Sequence, residues 1–245
     1  RIFKDYTSIP SMHIPNDSLY QFLKPSNLVS VRTLSDEFST YDLNIIFKSD
    51  SSDEIIEETT VNQTLINGYL RRQREDYMIN QILVDGFPFN NGNSYFLSQS
   101  FILQSNSDTV FSGFNSEIND TCVYRGQLDN FYAYDDGNAE LGVGIRTPFG
   151  KVAVEYVPFR KDTLTAIDIA FIPGEQSITS TELGLRIWSD LEKDVDPILF
   201  GQDIIGSYAS ERNGFVRYTL DSAVILNDTF YIGWVQFDKN FLSSE

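Results

Sequence analysis

Residues 151–156 have the sequence Lys-Val-Ala-Val-Glu-Tyr, in which Val152, Val154 and Tyr156 occupy alternate positions. Successive side chains of a β-strand point to opposite faces of the sheet, so this spacing puts three apolar side chains on one face. Residues 165–171 follow the same two-residue period. The second half of the chain is therefore predicted to consist of half-buried strands.

The first half shows the same signals less regularly. Apolar runs such as 43–47, 77–84 and 95–103 are separated by turn-forming clusters, of which Asn90-Asn91-Gly92-Asn93-Ser94 is an example. Only residues 65–82 allow a competing helix, because some of their apolar side chains recur at three- and four-residue spacing. Gly68 and the charged residues between the apolar positions weaken that alternative.

Short strands with no amphipathic helices between them favour an all-β protein built from antiparallel sheets. We expect two β-sandwiches, an Ig-like one followed by a jelly-roll-like one. The predicted organisation is an extended Pro-rich arm at 1–27, a first sandwich at 28–125 and a second at 126–245, which meet between Val123 and Tyr132.

The charge of the chain limits its partners. The sequence has 35 acidic and 18 basic residues, which gives a formal net charge of −17. Such a surface repels phosphate, so nucleic acid and anionic membranes are not expected as ligands. The one basic cluster, Arg71, Arg72 and Arg74, is followed directly by Glu75 and is interpreted as a solvated face. No run reaches the ~20 apolar residues needed to span a bilayer, so we expect no membrane span.

Residue types that usually perform catalysis are scarce. The chain has one histidine and one cysteine, and it lacks a Gly-x-Ser-x-Gly elbow, a phosphate-binding loop and a histidine pair for a metal. Cys122 lacks a histidine close in sequence to activate it and is interpreted as a buried or incidental thiol. The protein is therefore predicted not to be an enzyme.

One group of carboxylates has the residue types of a calcium site. Asp135, Asp136 and Glu140 surround Gly137, and oxygen ligands at such a turn can coordinate calcium. The same residues also favour turns without any metal, because Asp and Gly suit turn geometry, and the spacing is not that of a helix-loop-helix calcium loop. Calcium is thus a possible ligand at these three residues, and no other cofactor is expected.

Four motifs resemble one known family. Residues 132–140 (Tyr-Ala-Tyr-Asp-Asp-Gly-Asn-Ala-Glu), 162–171, 185–190 (Leu-Arg-Ile-Trp-Ser-Asp) and 230–236 (Phe-Tyr-Ile-Gly-Trp-Val-Gln) are similar to the β-sandwich module of exported Bacteroidetes-type proteins associated with the type IX secretion system. The resemblance covers residues 119–240. It implies an extracytoplasmic location, in the periplasm, at the outer membrane or on the cell surface.

The resemblance also implies a role. We expect a non-catalytic accessory or structural subunit that binds protein partners in an outer-membrane export or gliding complex. A plug is one form that such a subunit can take. The alternative is a carbohydrate-binding or adhesive module of a secreted surface protein. The resemblance further implies O-glycosylation at Asp-Ser/Thr-apolar patterns, with acceptors at Ser18, Thr109, Thr163 and Ser222.

Two tryptophans are the candidates for carbohydrate binding. Trp188 and Trp234 have the large aromatic faces that stack on sugars. Both also lie within alternating strand patterns, which favours burial in a core instead.

The Pro-rich arm is the predicted partner-binding segment. Pro10, Pro15 and Pro25 prevent a continuous helix. Its large apolar side chains nevertheless need a surface to cover, and the predicted contact residues are Phe3, Tyr6, Ile9, Ile14, Tyr20 and Phe22. We expect the arm to lie on a partner or on the second domain, along an exposed sheet edge.

Overall fold

The computed structural model describes residues 5–15, 19–24, 26–32, 41–49, 54–63, 74–80, 93–105, 110–111, 114–115, 120–135, 143–145, 147–173, 177–191, 197–237 and 242–244. Contacts divide the chain into two compact units, Arg1–Asp136 and Gly137–Glu245. The predicted boundary at 125/126 falls inside a strand, Thr121–Asp129, which pairs along its length with strand Tyr95–Ser105 of the first unit.

The strands of the first unit are β1 (Ser8–Pro10), β2 (Ser26–Arg32), β3 (Tyr41–Ser49), β4 (Glu54–Gln63), β5 (Arg74–Asn80), β6 (Tyr95–Ser105), β7 (Val110–Phe111), β8 (Phe114–Asn115) and β9 (Thr121–Asp129). Those of the second are β10 (Val143–Ile145), β11 (Lys151–Tyr156), β12 (Asp162–Ile169), β13 (Glu182–Trp188), β14 (Ile198–Ile205), β15 (Val216–Leu226), β16 (Phe230–Gln236) and β17 (Leu242–Ser244).

The predicted all-β class is confirmed. In the described part of the chain, helical structure is limited to two 3₁₀ turns, Ser11–His13 and Leu19–Gln21, and neither is long enough to cross a membrane. Residues 74–80 form β5, so the alternative helix over 65–82 does not extend through them. The division into two sandwiches, Ig-like and jelly-roll-like, stays a prediction.

A five-stranded sheet organises the first unit, with the order β1-β9-β6-β3-β4. The pairs β9–β6, β6–β3 and β3–β4 are antiparallel, whereas β1 joins the edge of β9 in parallel. Register places Leu97, Phe101 and Ile45 on the same face as Leu128, and all four are buried. β2 pairs with β5 in a separate two-stranded sheet.

A four-stranded antiparallel sheet, in the order β11-β16-β13-β14, organises the second unit beside the two-stranded sheet β12–β15. The central strand β13 is buried on both faces, which explains the nearly continuous apolar sequence of residues 183–188. Side chains from both sheets form one core, made of Ile167, Phe171, Ile178, Leu183, Leu185, Ile187, Ile204, Leu220, Leu226, Phe230 and Trp234.

The Gln202 side chain joins the two sheets of the second unit. The Gln202 side-chain nitrogen donates to the Thr219 carbonyl oxygen at 3.2 Å, and the Asp221 N–H donates to the Gln202 side-chain oxygen at 3.0 Å. The amide of Gln202 thereby satisfies backbone groups of β15 that would otherwise need a strand partner.

Candidate interaction surfaces

The Pro-rich arm is held in a slot between β9 and the segment that follows it. The Gln127 N–H donates to the Thr7 carbonyl oxygen at 2.9 Å on one side of the arm. On the other side, the Thr7 N–H donates to the Ala133 oxygen at 2.7 Å and the Ala133 N–H donates to the Ser8 oxygen at 3.1 Å. The arm is therefore inserted as a strand, and we call the gap between residues 127–129 and Ala133 the arm slot.

Aromatic side chains close the slot around Tyr6. Its ring centroid lies 4.8 Å from that of Tyr132 and 4.6 Å from that of Tyr134, and only 1% of Tyr6 is exposed. The Tyr132 hydroxyl also forms a hydrogen bond with Nδ1 of buried His13 at 2.6 Å. The motif Tyr132-Ala133-Tyr134 thus binds the arm, a structural role that the sequence alone did not predict.

Small hydroxyl side chains of the arm match acceptors in the slot. Thr7 Oγ1 donates to the Ala133 carbonyl oxygen at 3.0 Å and also contacts the Asp135 carbonyl oxygen. Ser8 Oγ donates to the Phe131 carbonyl oxygen at 3.2 Å. Side-chain hydrogen bonds add sequence specificity to the backbone pairing, because an aliphatic residue at either position could not form them.

The predicted contact residues of the arm have different locations. Tyr6, Ile9 and Ile14 are buried within the first unit, and Phe22 is partly buried. Leu23, another apolar side chain of the arm, is buried, and so is Leu19, which the sequence analysis did not single out. Phe3 and the side chain of Tyr20 lie outside the described residues. The described residues of the arm therefore pack within the first unit, Arg1–Asp136, against residues 127–135.

The second unit exposes an aromatic side chain at a strained turn. Phe149 has a φ of 59°, in the left-handed region that costs an L-residue about 1–2 kcal/mol. The Gly150 N–H donates to the Thr147 oxygen at 3.1 Å, the Phe149 N–H donates to the Gln236 oxygen at 2.6 Å, and the Gln236 N–H donates to the Gly150 oxygen at 3.0 Å. These bonds hold a backbone conformation that leaves Phe149 69% exposed.

An aromatic ring and an arginine lie beside this turn. The Phe237 ring is 6.5 Å from that of Phe149, and the guanidinium carbon of Arg186 is 6.0 Å from the Phe237 ring centroid. Arg186 donates to the Asp203 carboxylate at 2.9 Å and to the Gln202 carbonyl oxygen at 3.0 Å. We call Phe149, Phe237 and Arg186 the aromatic patch.

Glycines make room for Arg186 on the sheet. A Cβ atom on Gly184 would lie 2.8 Å from Arg186 Nη2 and 2.9 Å from the Phe237 ring. A Cβ atom on Gly201 would lie 3.1 Å from Arg186 Cδ. The long arginine side chain therefore lies along the sheet surface, which fixes the position of its charged group.

The two candidate carbohydrate-binding residues are buried. Trp188 is 1% exposed, and Trp234 is 2% exposed within the core of the second unit, 6.1 Å from the ring of Phe171. Stacking on a sugar needs an accessible ring face. Neither indole offers one in this conformation.

The candidate calcium and glycosylation residues are only partly described. Asp135 lies at the end of the arm slot, whereas Asp136 and Glu140 lie outside the described residues, as do Ser18 and Thr109. Thr163 in β12 and Ser222 in β15 are exposed. Within the described ranges, no group of three or more His, Cys, Asp and Glu side chains could hold a metal ion.

Among the described residues, Tyr218, Tyr124 and Arg217 have shifted pKa values. Burial raises the pKa of Tyr218, although a hydrogen bond from the Ser207 N–H opposes this. Burial, with a smaller effect of Cys122, raises the pKa of Tyr124 in the first unit. A hydrogen bond to Asp168 raises the pKa of Arg217, which pairs with that carboxylate through two contacts of 2.8 Å.

Cys122, interpreted from the sequence as a buried or incidental thiol, is exposed on β9. Comparisons with protein-family models, with curated proteins and with solved structures found no match for the chain.

Proposed function

We propose that the protein is a non-catalytic interaction protein of the cell envelope, an accessory or structural subunit of type IX export or gliding machinery. The resemblance of the motifs at 132–140, 162–171, 185–190 and 230–236 supports the envelope setting. The large negative charge supports protein partners over nucleic acid.

The observation that carries the proposal is the exposure of Phe149. Among the described residues it is the most exposed large apolar side chain, and its backbone is strained. Strained conformations persist where the surrounding structure holds them, and they cluster at functional sites. Aromatic side chains and arginine are also enriched where protein interfaces bind most strongly. The aromatic patch is accordingly the proposed anchor for a protein partner.

The burial of Trp188 and Trp234 weighs against the carbohydrate-binding alternative. A sugar site on this chain would need other aromatic side chains, and the aromatic patch also contains an arginine already paired with Asp203. A protein partner fits this combination better than a neutral glycan does.

A photo-crosslinking analogue of phenylalanine at position 149 tests the proposal in native cells. Position 215 is the matched control, because Phe215 is also exposed, at 46%, but lies outside the aromatic patch. We expect a discrete crosslinked protein from position 149 and none from position 215. Equal crosslinking at both positions, or none at 149, contradicts the proposal.

The same experiment separates the two cellular settings. Recovery of the crosslinked product in an outer-membrane complex supports the envelope subunit, and recovery only from culture medium supports the secreted adhesive module. The variant Phe149→Ala should lower recovery of the partner by more than about tenfold, as for a residue central to an interface. Phe215→Ala should leave recovery unchanged.

A further inference from the structure

The arm slot holds a segment that is far away in sequence. The hydrogen bond from Thr7 Oγ1 to the Ala133 oxygen joins residues 126 positions apart. The next strand after the arm, β2, pairs with β5 in a different sheet from β1. Non-covalent contacts therefore hold the arm in the slot, because no short covalent connection links the arm to β9.

We propose that the arm slot also accepts the arm of a second copy of this chain, so that two copies exchange arms reciprocally. Every contact between arm and slot would be the same in the exchanged dimer, because each copy carries both parts. The contact free energy therefore does not distinguish the two forms. The ratio of exchanged dimer to monomer depends on the protein concentration relative to the effective concentration of the tethered arm, which is about 1 mM for a short flexible connection.

The contacts in the slot favour the arm over an unrelated strand. Two tyrosine rings enclose Tyr6, and backbone acceptors receive the hydroxyl groups of Thr7 and Ser8. Ile9 extends the buried face that includes Leu128. An extended segment must supply an aromatic, two hydroxyl residues and an aliphatic in that order, and residues 6–9 of another copy do so.

The connection between the arm and the rest of the first unit suits exchange. Lys24 precedes Pro25, and a residue before proline is restricted to extended conformations. β2 then begins at Ser26. An extended Lys24 disfavours a tight reversal of the chain between the arm and β2.

Disulfide trapping in the full-length chain tests the exchange. Ser8 and Gln127 are register partners, so cysteines at these positions in different copies form a bond only when an arm occupies another copy's slot. One tagged copy carries Ser8→Cys and a differently tagged copy carries Gln127→Cys, both with Cys122→Ser. The two copies are refolded together from denaturant at high concentration and oxidised.

We expect at least about tenfold more crosslinked heterodimer than from the control pair Ser8→Cys and Ser222→Cys, whose second cysteine lies outside the slot. Light scattering on the unaltered chain, refolded in the same way, should show a species of twice 27.9 kDa. This species should be lost in Tyr6→Ala/Ile9→Ala and kept in Met12→Ala, because Met12 is 48% exposed. Crosslinking equal to the control, or a mass of one chain at every concentration, overturns arm exchange and leaves the function of the aromatic patch untouched.

Discussion

Tyr6 in the first unit and Phe149 in the second are both aromatic residues outside the strands. Tyr6 lies two residues before β1, and Phe149 directly follows a proline and lies two residues before β11. Tyr6 is enclosed by Tyr132 and Tyr134, whereas Phe149 projects into solvent from a turn held by Gln236. The difference lies in the partners that the fold brings to each residue. An aromatic in such a segment is part of a core in one unit and a candidate interaction residue in the other.

Deletion of residues 1–24 is the most severe test of this contrast. It removes five buried apolar side chains, Tyr6, Ile9, Ile14, Leu19 and Leu23, each worth about 1.5–3 kcal/mol. Their sum approaches the total stability of an ordinary domain, so we expect the first unit to unfold. Hydrogen exchange should show lost protection in β6 and β9.

The second unit supplies the internal control for that deletion. Both tryptophans of the chain, Trp188 and Trp234, belong to it, so tryptophan fluorescence reports on the second unit alone. We expect its unfolding transition to be unchanged. A deletion variant that keeps full protection in β9 would show that the arm is an accessory to the first unit and not part of its core.

Gly233→Ala should damage the second unit and spare the first. A Cβ atom at Gly233 would lie 1.8 Å from the Val152 carbonyl oxygen, so β11 and β16 must move apart. We expect a loss of about 3 kcal/mol in unfolding free energy, measured by tryptophan fluorescence in denaturant. Gly201→Ala is the milder control, because its Cβ would lie 3.1 Å from the nearest atom, which belongs to the Arg186 side chain and not to a backbone. Equal losses for the two variants would contradict this explanation.

The variant Phe149→Gly distinguishes the backbone strain at position 149 from the role of the phenyl group in binding the proposed partner. Glycine adopts a positive φ without penalty, so we expect the second unit to gain about 1–2 kcal/mol in thermal or chemical unfolding. The variant should nevertheless lose the proposed partner. Asn213→Gly is the control, because Asn213 also has a φ of 59° but tolerates it better, and this variant should gain less and keep the partner. A destabilised Phe149→Gly protein would show that the phenyl group itself stabilises the turn.

The smallest of the expected effects is a change in the stability of the second unit at alkaline pH. Burial raises the pKa of folded Tyr218 above the usual 10.0, so the folded state holds this proton more tightly than the unfolded state does. The resulting stability is present below pH 10 and is lost as pH rises through the raised value. We expect Tyr218→Phe to lower stability by about 1 kcal/mol at neutral pH, because the hydrogen bond from the Ser207 N–H is lost. The unfolding free energy of the variant should also depend less on pH above 10. An unchanged pH dependence would contradict the assignment of this effect to Tyr218.

The sequence alone predicted the all-β class and the alternating strands at 151–156 and 165–171 of the second unit. Strand side chains alternate between two faces, so the period in residues 151–156 and 165–171 is visible without any tertiary information. The apolar composition of the arm likewise indicated that it must cover a surface. It did not indicate which surface, because the same side chains suit a partner, the second domain or the first unit equally well.

Tertiary structure alone decided the partners of each segment. Burial of Tyr6 requires Tyr132 and Tyr134, more than a hundred residues away, and no local pattern encodes that pairing. The exposure of Phe149 depends in the same way on backbone hydrogen bonds to Gln236, across 87 positions. Local spacing determines which residues form strands, because it acts through the backbone of one segment. Which aromatics are buried and which stay exposed depends on contacts between distant segments, and these exist only once the chain has folded.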